Sequence, residues 1–163
     1  MPGESSIGDD APIRARDRLL LDVMLGKLTT YLRMCGYDAV YALDRDEEAD
    51  DRLLAMARAE GRTLLTRDRE FAGRTSDSVL LTARDISEQL RELREAGFRL
   101  ELDDRPRRCG QCNGVVERVD TDESTPGYAP DSDETAVWRC LDCEQCFWKG
   151  SHWDDVAETL DEL

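Results

Sequence analysis

Lysine is nearly missing from this chain. Of the 22 Lys and Arg residues only Lys27 and Lys149 are lysines, against 37 Asp and Glu, and the formal net charge is −15 over 163 residues. The acids are spread along the chain rather than blocked, the pattern of a halophilic surface on which carboxylates hold water and arginine replaces lysine. Such a field repels nucleic acid at low salt. A nucleic-acid substrate therefore needs a local basic or metal site, and high salt screens the rest of the repulsion. Histidine is missing apart from His152, which stands between Ser151 and Trp153 and reads as a packed or hydrogen-bonded surface residue. No apolar run approaches the roughly 20 residues of a membrane span, and no secretory signal is visible. Cysteine is scarce until late: only Cys35 precedes Cys109. The other cysteines lie at x-x spacings, which points to metal rather than to a disulfide framework, and so to a reducing cytoplasm.

What is present alternates between strand and helix. Residues 1–17 are small, polar and contain Pro and Gly, a composition expected to be disordered. Residues 19–21, all leucine, read as a buried strand. Met24, Leu25, Leu28, Tyr31, Leu32 and Cys35 then recur at helical spacing, and Gly36 closes the helix. Residues 38–42 read as a second strand. Residues 44–59 read as a helix with an acidic first turn and a buried stripe of Leu53, Leu54 and Ala57. Residues 62–66 form a third strand, 78–82 a fourth and 83–96 a charged helix, with 98–102 either a fifth strand or the lead into the cysteine-rich part of the chain. Short strands alternating with helices imply an α/β fold, a mostly parallel sheet covered by helices on both faces. The proline-containing polar break at 103–108 marks a boundary. The chain thus divides into 1–17, an α/β domain at 18–102, a cysteine-rich module at 103–153 and an acidic helix or tail at 154–163.

Within the α/β domain the carboxylates carry the chemistry. In an open parallel sheet the functional crevice lies beyond the carboxyl ends of the strands. Asp22 stands at the end of the first strand, between an apolar strand and an apolar helix, where a carboxylate is costly unless something binds it. Asp68 follows the third strand by two residues, Glu70 by four, and Asp50 and Asp51 lie near the start of the second helix. Carboxylates converging at one edge repel unless they share a cation. Oxygen-only donors favour Mg²⁺ or Mn²⁺, ions that serve phosphodiester hydrolysis. Thr66 can hydrogen-bond a carboxylate, and Lys27 and Arg67 can hold phosphate. Spacing alone does not choose between Asp50 and Asp51, and Asp68 equally suits a helix N-cap.

In the cysteine-rich module, paired Cys-x-x-Cys turns point to a four-thiolate zinc site, structural because four thiolates leave no open position. Cys109 and Cys112 form the first pair. The second is Cys140 with Cys143 or Cys143 with Cys146, and Glu144 stands where a glycine is common. Trp138, Trp148 and Trp153 can stack on bases or make the module's small core. Arg105, Arg107 and Arg108 form a dense basic stretch ahead of it.

Two blocks of sequence resemble a known family. Asp22-Val23-Met24-Leu25-Gly26-Lys27-Leu28, Leu32-Arg33, Gly36-Tyr37-Asp38 and Gly61-Arg62-Thr63-Leu64-Leu65-Thr66-Arg67-Asp68 form the first. Trp138-x-Cys140-x-x-Cys143 with Trp148-x-Gly150-Ser151-His152-Trp153 forms the second. Together they resemble the PIN-like ribonucleases named for the C-terminal domain of the Mut-seven exonuclease, with their zinc-ribbon tail. The resemblance implies a three-layer PIN-like α/β/α domain, a Mg²⁺- or Mn²⁺-dependent ribonuclease acting on single-stranded RNA, and a zinc ribbon that helps hold the RNA. It places the metal-binding acids at Asp22, Asp50 and Asp68, with Glu70 where some relatives carry a further acid, and the zinc ligands at Cys109, Cys112, Cys140 and Cys143. Two rival expectations stand beside it: a non-catalytic adaptor whose ribbon binds RNA or protein, and a nucleotidase using the same acids.

Overall fold

The computed structural model describes residues 18–163; the segment 1–17, expected to be disordered, lies outside the described residues. Four short strands, β1 (Arg18–Leu21), β2 (Ala39–Tyr41), β3 (Arg62–Thr66) and β4 (Ser78–Leu80), pair in the order β2-β1-β3-β4, every pair parallel. Successive side chains of a strand point to opposite faces, and β1 shows the consequence. Leu19 and Leu21 enter one apolar cluster with Leu25, Leu28 and Leu32, and with Leu90 and Leu93. Leu20 enters the other, with Val40, Leu53, Leu54, Ala57, Leu64 and Phe71. The sheet is therefore covered on both sides: by α1 (Gly26–Met34) and α4 (Ile86–Glu95) on one face, and by α2 (Asp50–Glu60) and the short α3 (Arg69–Ala72) on the other. Each leucine buried this way contributes about 2 kcal/mol.

Three local departures from the expected elements matter. The helix expected over 44–59 is split. A short 3-10 turn spans Ala42–Arg45, Asp46 takes a left-handed φ of 55°, and α2 starts only at Asp50. The first turn of α2 then carries Asp50 and Asp51, where negative charge meets the positive end of the helix dipole. Met24 does not join the buried stripe; it is 46% exposed, because a 3-10 turn over Val23–Leu25 precedes α1 and rotates it outward. Residues 98–102 pair with no strand. Phe98 and Leu100 bury their side chains in the first cluster, and the Arg99 amide donates to the Tyr37 hydroxyl, so the segment leads out of the sheet domain rather than extending the sheet.

A second sheet, β5 (Val116–Arg118), β6 (Trp138–Cys140) and β7 (Cys146–Phe147), is antiparallel in the order β5-β6-β7. The acidic stretch from 120 to 134 links β5 to β6 without helix or strand. The last helix, α5 (Ser151–Asp161), starts three residues before the expected tail, and its Val156 and Leu160 pack into the same apolar cluster as β1, α1 and α4. The cysteine-rich sheet is stitched to the edge strand β2 as well. The Asn113 side chain accepts from the Ala39 amide and donates to Asp38, and buried Arg33 donates to the carbonyls of both Ala39 and Gly110.

Candidate active site and metal centre

The order β2-β1-β3-β4 reverses direction between β1 and β3, so the crevice past their carboxyl ends is a topological switch point. Leu21 pairs with Leu65 and Thr66 with Leu80. Asp22, one residue past β1, is tied to β3 by its amide, which donates to the Leu65 carbonyl at 3.1 Å. Its side chain is 6% exposed. Oδ1 accepts from the Val23 amide at 2.8 Å, which caps the following turn, and Oδ2 accepts from the Thr66 hydroxyl at 2.7 Å. Thr66 is fully buried and also accepts the Asp68 amide at 3.0 Å, so one hydroxyl orients Asp22 and holds the turn that carries Asp68. Asp68 caps α3, its Oδ1 accepting from the amides of Glu70 and Phe71. The capping reading of Asp68 therefore holds, and among the described residues Oδ2 accepts no hydrogen bond.

The structure separates Asp50 from Asp51. Asp51 is exposed and paired with Arg74, which lowers its pKa. Asp50 is raised above the usual carboxylate range, first by desolvation and then by the charges of Asp22 and Asp68. Asp50 thus lies in the field of the other two acids, and Asp51 is turned to an arginine. Among the described residues Asp22, Asp50 and Asp68 form no ion pair. Three oxygen donors with mutually repelling charge, offset only in part by the charge of Arg74 acting on Asp50, suit a hard divalent cation. The three are nonetheless looser than a preformed cage. Among the described residues, the sets of three or more potential ligand atoms that lie within 4.8 Å of one another are the sulfurs of Cys109, Cys112, Cys140 and Cys143 and the exposed oxygens of Asp131, Asp133 and Glu134.

Lys27, Arg67 and Glu70 complete the expected set. Lys27 is exposed near the start of α1. Arg67 follows Thr66 directly, and its Nε is buried without a hydrogen-bond partner. Glu70, exposed in the first turn of α3, offers its amide to Asp68, not its carboxylate to the other acids. One neighbour escaped the sequence reading. Tyr41 ends β2 opposite Leu21, its hydroxyl donates to the Val23 carbonyl at 2.5 Å, and its pKa is raised by burial and then by Asp44 and Asp22. A Cβ at Gly26 would lie 3.0 Å from that hydroxyl, which explains the glycine before Lys27. The sequence held only part of the signal: Tyr41 stands in the expected strand 38–42, and its pairing beside β1 is seen only in the fold.

The four-sulfur cluster is compatible with a zinc ribbon. Cys109 Sγ lies 3.6 Å from Cys143 Sγ, and Cys112 Sγ lies 3.5 Å from Cys140 Sγ. A tetrahedral ion with Zn–S bonds of about 2.3 Å needs sulfurs about 3.8 Å apart, so the donor set fits. Amides of Gln111, Asp142 and Cys143 point at the sulfurs, at 3.4, 3.4 and 3.5 Å. The residue after each second cysteine, Asn113 and Glu144, takes a left-handed φ, 72° and 67°. Glu144 therefore does adopt the conformation a glycine would relieve. Gly114 cannot be replaced cheaply: a Cβ there would lie 2.8 Å from Cys140 Sγ. Cys146 is buried outside the cluster, its amide donating to the Tyr128 hydroxyl, so the register pairs Cys140 with Cys143. The Cys35 thiol is pushed up to about 12, chiefly by burial, and is a packed side chain. Trp138 is buried against Cys109 and Cys140, and Trp148 packs beside Val119, Val137 and Cys146, so both serve the module's core. Arg108 turns back to Asp38, at 3.8 Å, and to the Asn113 carbonyl, and Arg107 pairs with Asp103.

A family model, that of the Mut7-C RNAse domain, matches residues 17–160. No curated protein and no solved structure matches the chain significantly.

Proposed function

Because the chain belongs to the Mut7-C RNAse domain family, we propose that it is a Mg²⁺- or Mn²⁺-dependent ribonuclease of the PIN-like kind that hydrolyses single-stranded RNA, with a structural zinc ribbon that helps hold the strand. The observation that carries the reading is Asp22: a buried carboxylate bonded to Thr66, without a cationic partner among the described residues, and close enough to Asp50 to raise its pKa. Asp22, Asp50 and Asp68 are the residues that would hold the divalent ion. When bound there, such an ion would supply a polarised water and neutralise charge on the phosphate. Thr66 keeps Asp22 in one orientation and fixes the turn of Asp68 through the same hydroxyl. Lys27 and Arg67 would hold phosphate oxygens, and Glu70 would add negative charge beside Asp68. Cys109, Cys112, Cys140 and Cys143 would bind zinc with no position left for chemistry. We place the protein in a salt-rich cytoplasm, on the strength of the −15 charge and the free thiols.

Labelled single-stranded RNA incubated with Mn²⁺ tests the proposal. The wild-type protein should cleave it, and Asp22→Asn should not; unchanged cleavage by the variant sinks it. A second reading, a non-catalytic RNA- or protein-binding adaptor, is favoured by the looseness of the carboxylates compared with the sulfurs. It expects binding that survives chelator too dilute to strip zinc, and no turnover with any metal.

A further inference from the structure

A cavity of about 480 Å³ lies between α1 and the cysteine-rich module, lined by Thr30 and Met34 on one side and by Phe147, Trp148, His152 and Trp153 on the other. Its size is that of a small-ligand site. Its charge is unusual for this molecule. The chain carries 37 acids in 163 residues, yet none of the residues lining this cavity is Asp or Glu. Two other hollows do not share the property: one includes Glu101 and Asp161, the other Asp38 and Asp44. The cations are placed in the opposite sense. Arg108 lines the cavity although its guanidinium is paired with Asp38, and Lys149, between the lining residues Trp148 and Gly150, lies with its Nζ 5.6 Å from the centre of the Trp153 ring. Lys149 is one of only two lysines; the other, Lys27, stands on α1. Lys27, Thr30 and Met34 follow at i, i+3 and i+7, so they share a face of that helix. At 1.5 Å per residue this face runs roughly 10 Å from Lys27, at the end of α1 that follows Asp22, to Met34 in the cavity.

We infer that the cavity is a nucleotide-binding subsite for single-stranded RNA, in which an unpaired base lies against Trp153 while Lys149 meets its phosphate. The inference rests on the ribonuclease reading for the direction of the strand, from the cavity along α1 to Asp22. Trp153 is the tryptophan left for this role, since Trp138 and Trp148 are engaged in the module's own clusters. Stacking is indifferent to base identity, so the subsite adds affinity without choosing a sequence. It also answers the repulsion expected of a −15 chain: the strand is received where the acids have been left out.

The test is fluorescence anisotropy of a fluorescein-labelled ten-nucleotide oligoadenylate with the full-length, zinc-loaded protein and no added Mg²⁺ or Mn²⁺. Trp153→Ala should weaken binding about 5- to 150-fold, the range of one lost stacking contact. Gln111→Glu, an exposed change that adds one negative charge to the lining, should weaken it several-fold at low salt, with the difference shrinking as salt rises. If Trp153→Ala loses its zinc, Gln111→Glu alone decides. Equal binding by wild type and the folded variants overturns the subsite and leaves the cavity to a protein partner. Cleavage with Mn²⁺ is measured separately, so a protein that binds through this cavity but cuts nothing overturns the nuclease reading alone, and one that cuts with binding indifferent to both variants overturns the subsite alone.

Discussion

The two clusters of candidate ligands in this molecule are built on opposite plans. The four sulfurs come from two turns of one small sheet, stand 3.5 and 3.6 Å apart in facing pairs, and are surrounded by their own backbone amides. The three carboxylates come from separate elements: the end of β1, the start of α2 and the turn after β3. Only Asp22 and Asp68 are tied together, through Thr66, and Asp50 is held in their field against repulsion. The difference teaches what each arrangement is for. A closed thiolate site is completed by the local chain and adds to folding energy when metal binds. Under the proposed reading, an open carboxylate site would keep charge uncompensated in the folded protein, a cost that a cation and a phosphate would recover on entering.

The largest effect should come from the open site. Asp22→Asn should lower Mn²⁺-dependent RNA cleavage by more than about 100-fold, since loss of a supporting residue alone typically costs 10- to 100-fold; Thr66→Val should fall within that lower range. Both are read as initial rates on labelled RNA, and a Thr66→Val loss as large as that of Asp22→Asn would break the distinction between holding and orienting. Next comes the closed site. Gly114→Ala drives a Cβ toward Cys140 Sγ and Asp142, and should reduce bound zinc below one per chain and lower the melting temperature by about 5 °C, measured by metal analysis and by thermal unfolding.

A smaller effect separates the two neighbouring acids. Asp50 is raised, so its charge penalises the folded state above its pKa, and the penalty fades as pH falls through that value. Asp50→Asn should therefore raise the cation-free melting temperature at neutral pH by no more than about 2 °C while weakening Mn²⁺ binding about tenfold or more. Asp51→Asn loses the Arg74 pair and should do neither. Equal effects of the two on Mn²⁺ affinity would contradict the assignment. The smallest effect tests the seam between the regions. Burial alone would raise Asp38, but hydrogen bonds from Arg62 and Asn113 and the charges of Arg62 and Arg108 outweigh it and lower its pKa. Its stabilising contribution is present above the ordinary value of 3.8 and is lost as pH falls through the lowered folded value. Asp38→Asn should cost about 1 kcal/mol at pH 7, or roughly 2–4 °C, and the gap to wild type should close in acid.

The α/β architecture was legible because β1, β2 and β3 are short apolar runs and the helices keep a 3.6 period. Asp22 was legible because an apolar strand and an apolar helix enclose it, and the cysteine register because it agreed with the family tail. Asp50 was not readable from spacing. Its position depends on Asp46 taking a left-handed turn that ends one short helix and delays the next, and nothing in a run of acids announces that turn. Long-range ties were invisible for a related reason. Asn113 reads as the residue after a metal knuckle, yet its side chain also pairs with Ala39 and Asp38 across the chain. The end of the chain reads as an acidic helix or tail, and Val156 and Leu160, four apart, are enough to dock α5 on the main core. A pairwise apolar contact in a charged helix is decided by its partner, which local sequence does not contain.

The central claim is that Asp22, Asp50 and Asp68 share one divalent cation. A crystal soaked in Mn²⁺ tests it most directly by anomalous scattering. The account predicts a peak bonded to Asp22 at about 2.1 Å, the distance of a small octahedral cation, with Asp50 or Asp68 completing the protein ligands and the three carboxylates drawn together around it. A peak absent there, or found only beside Asp131, Asp133 and Glu134, contradicts it.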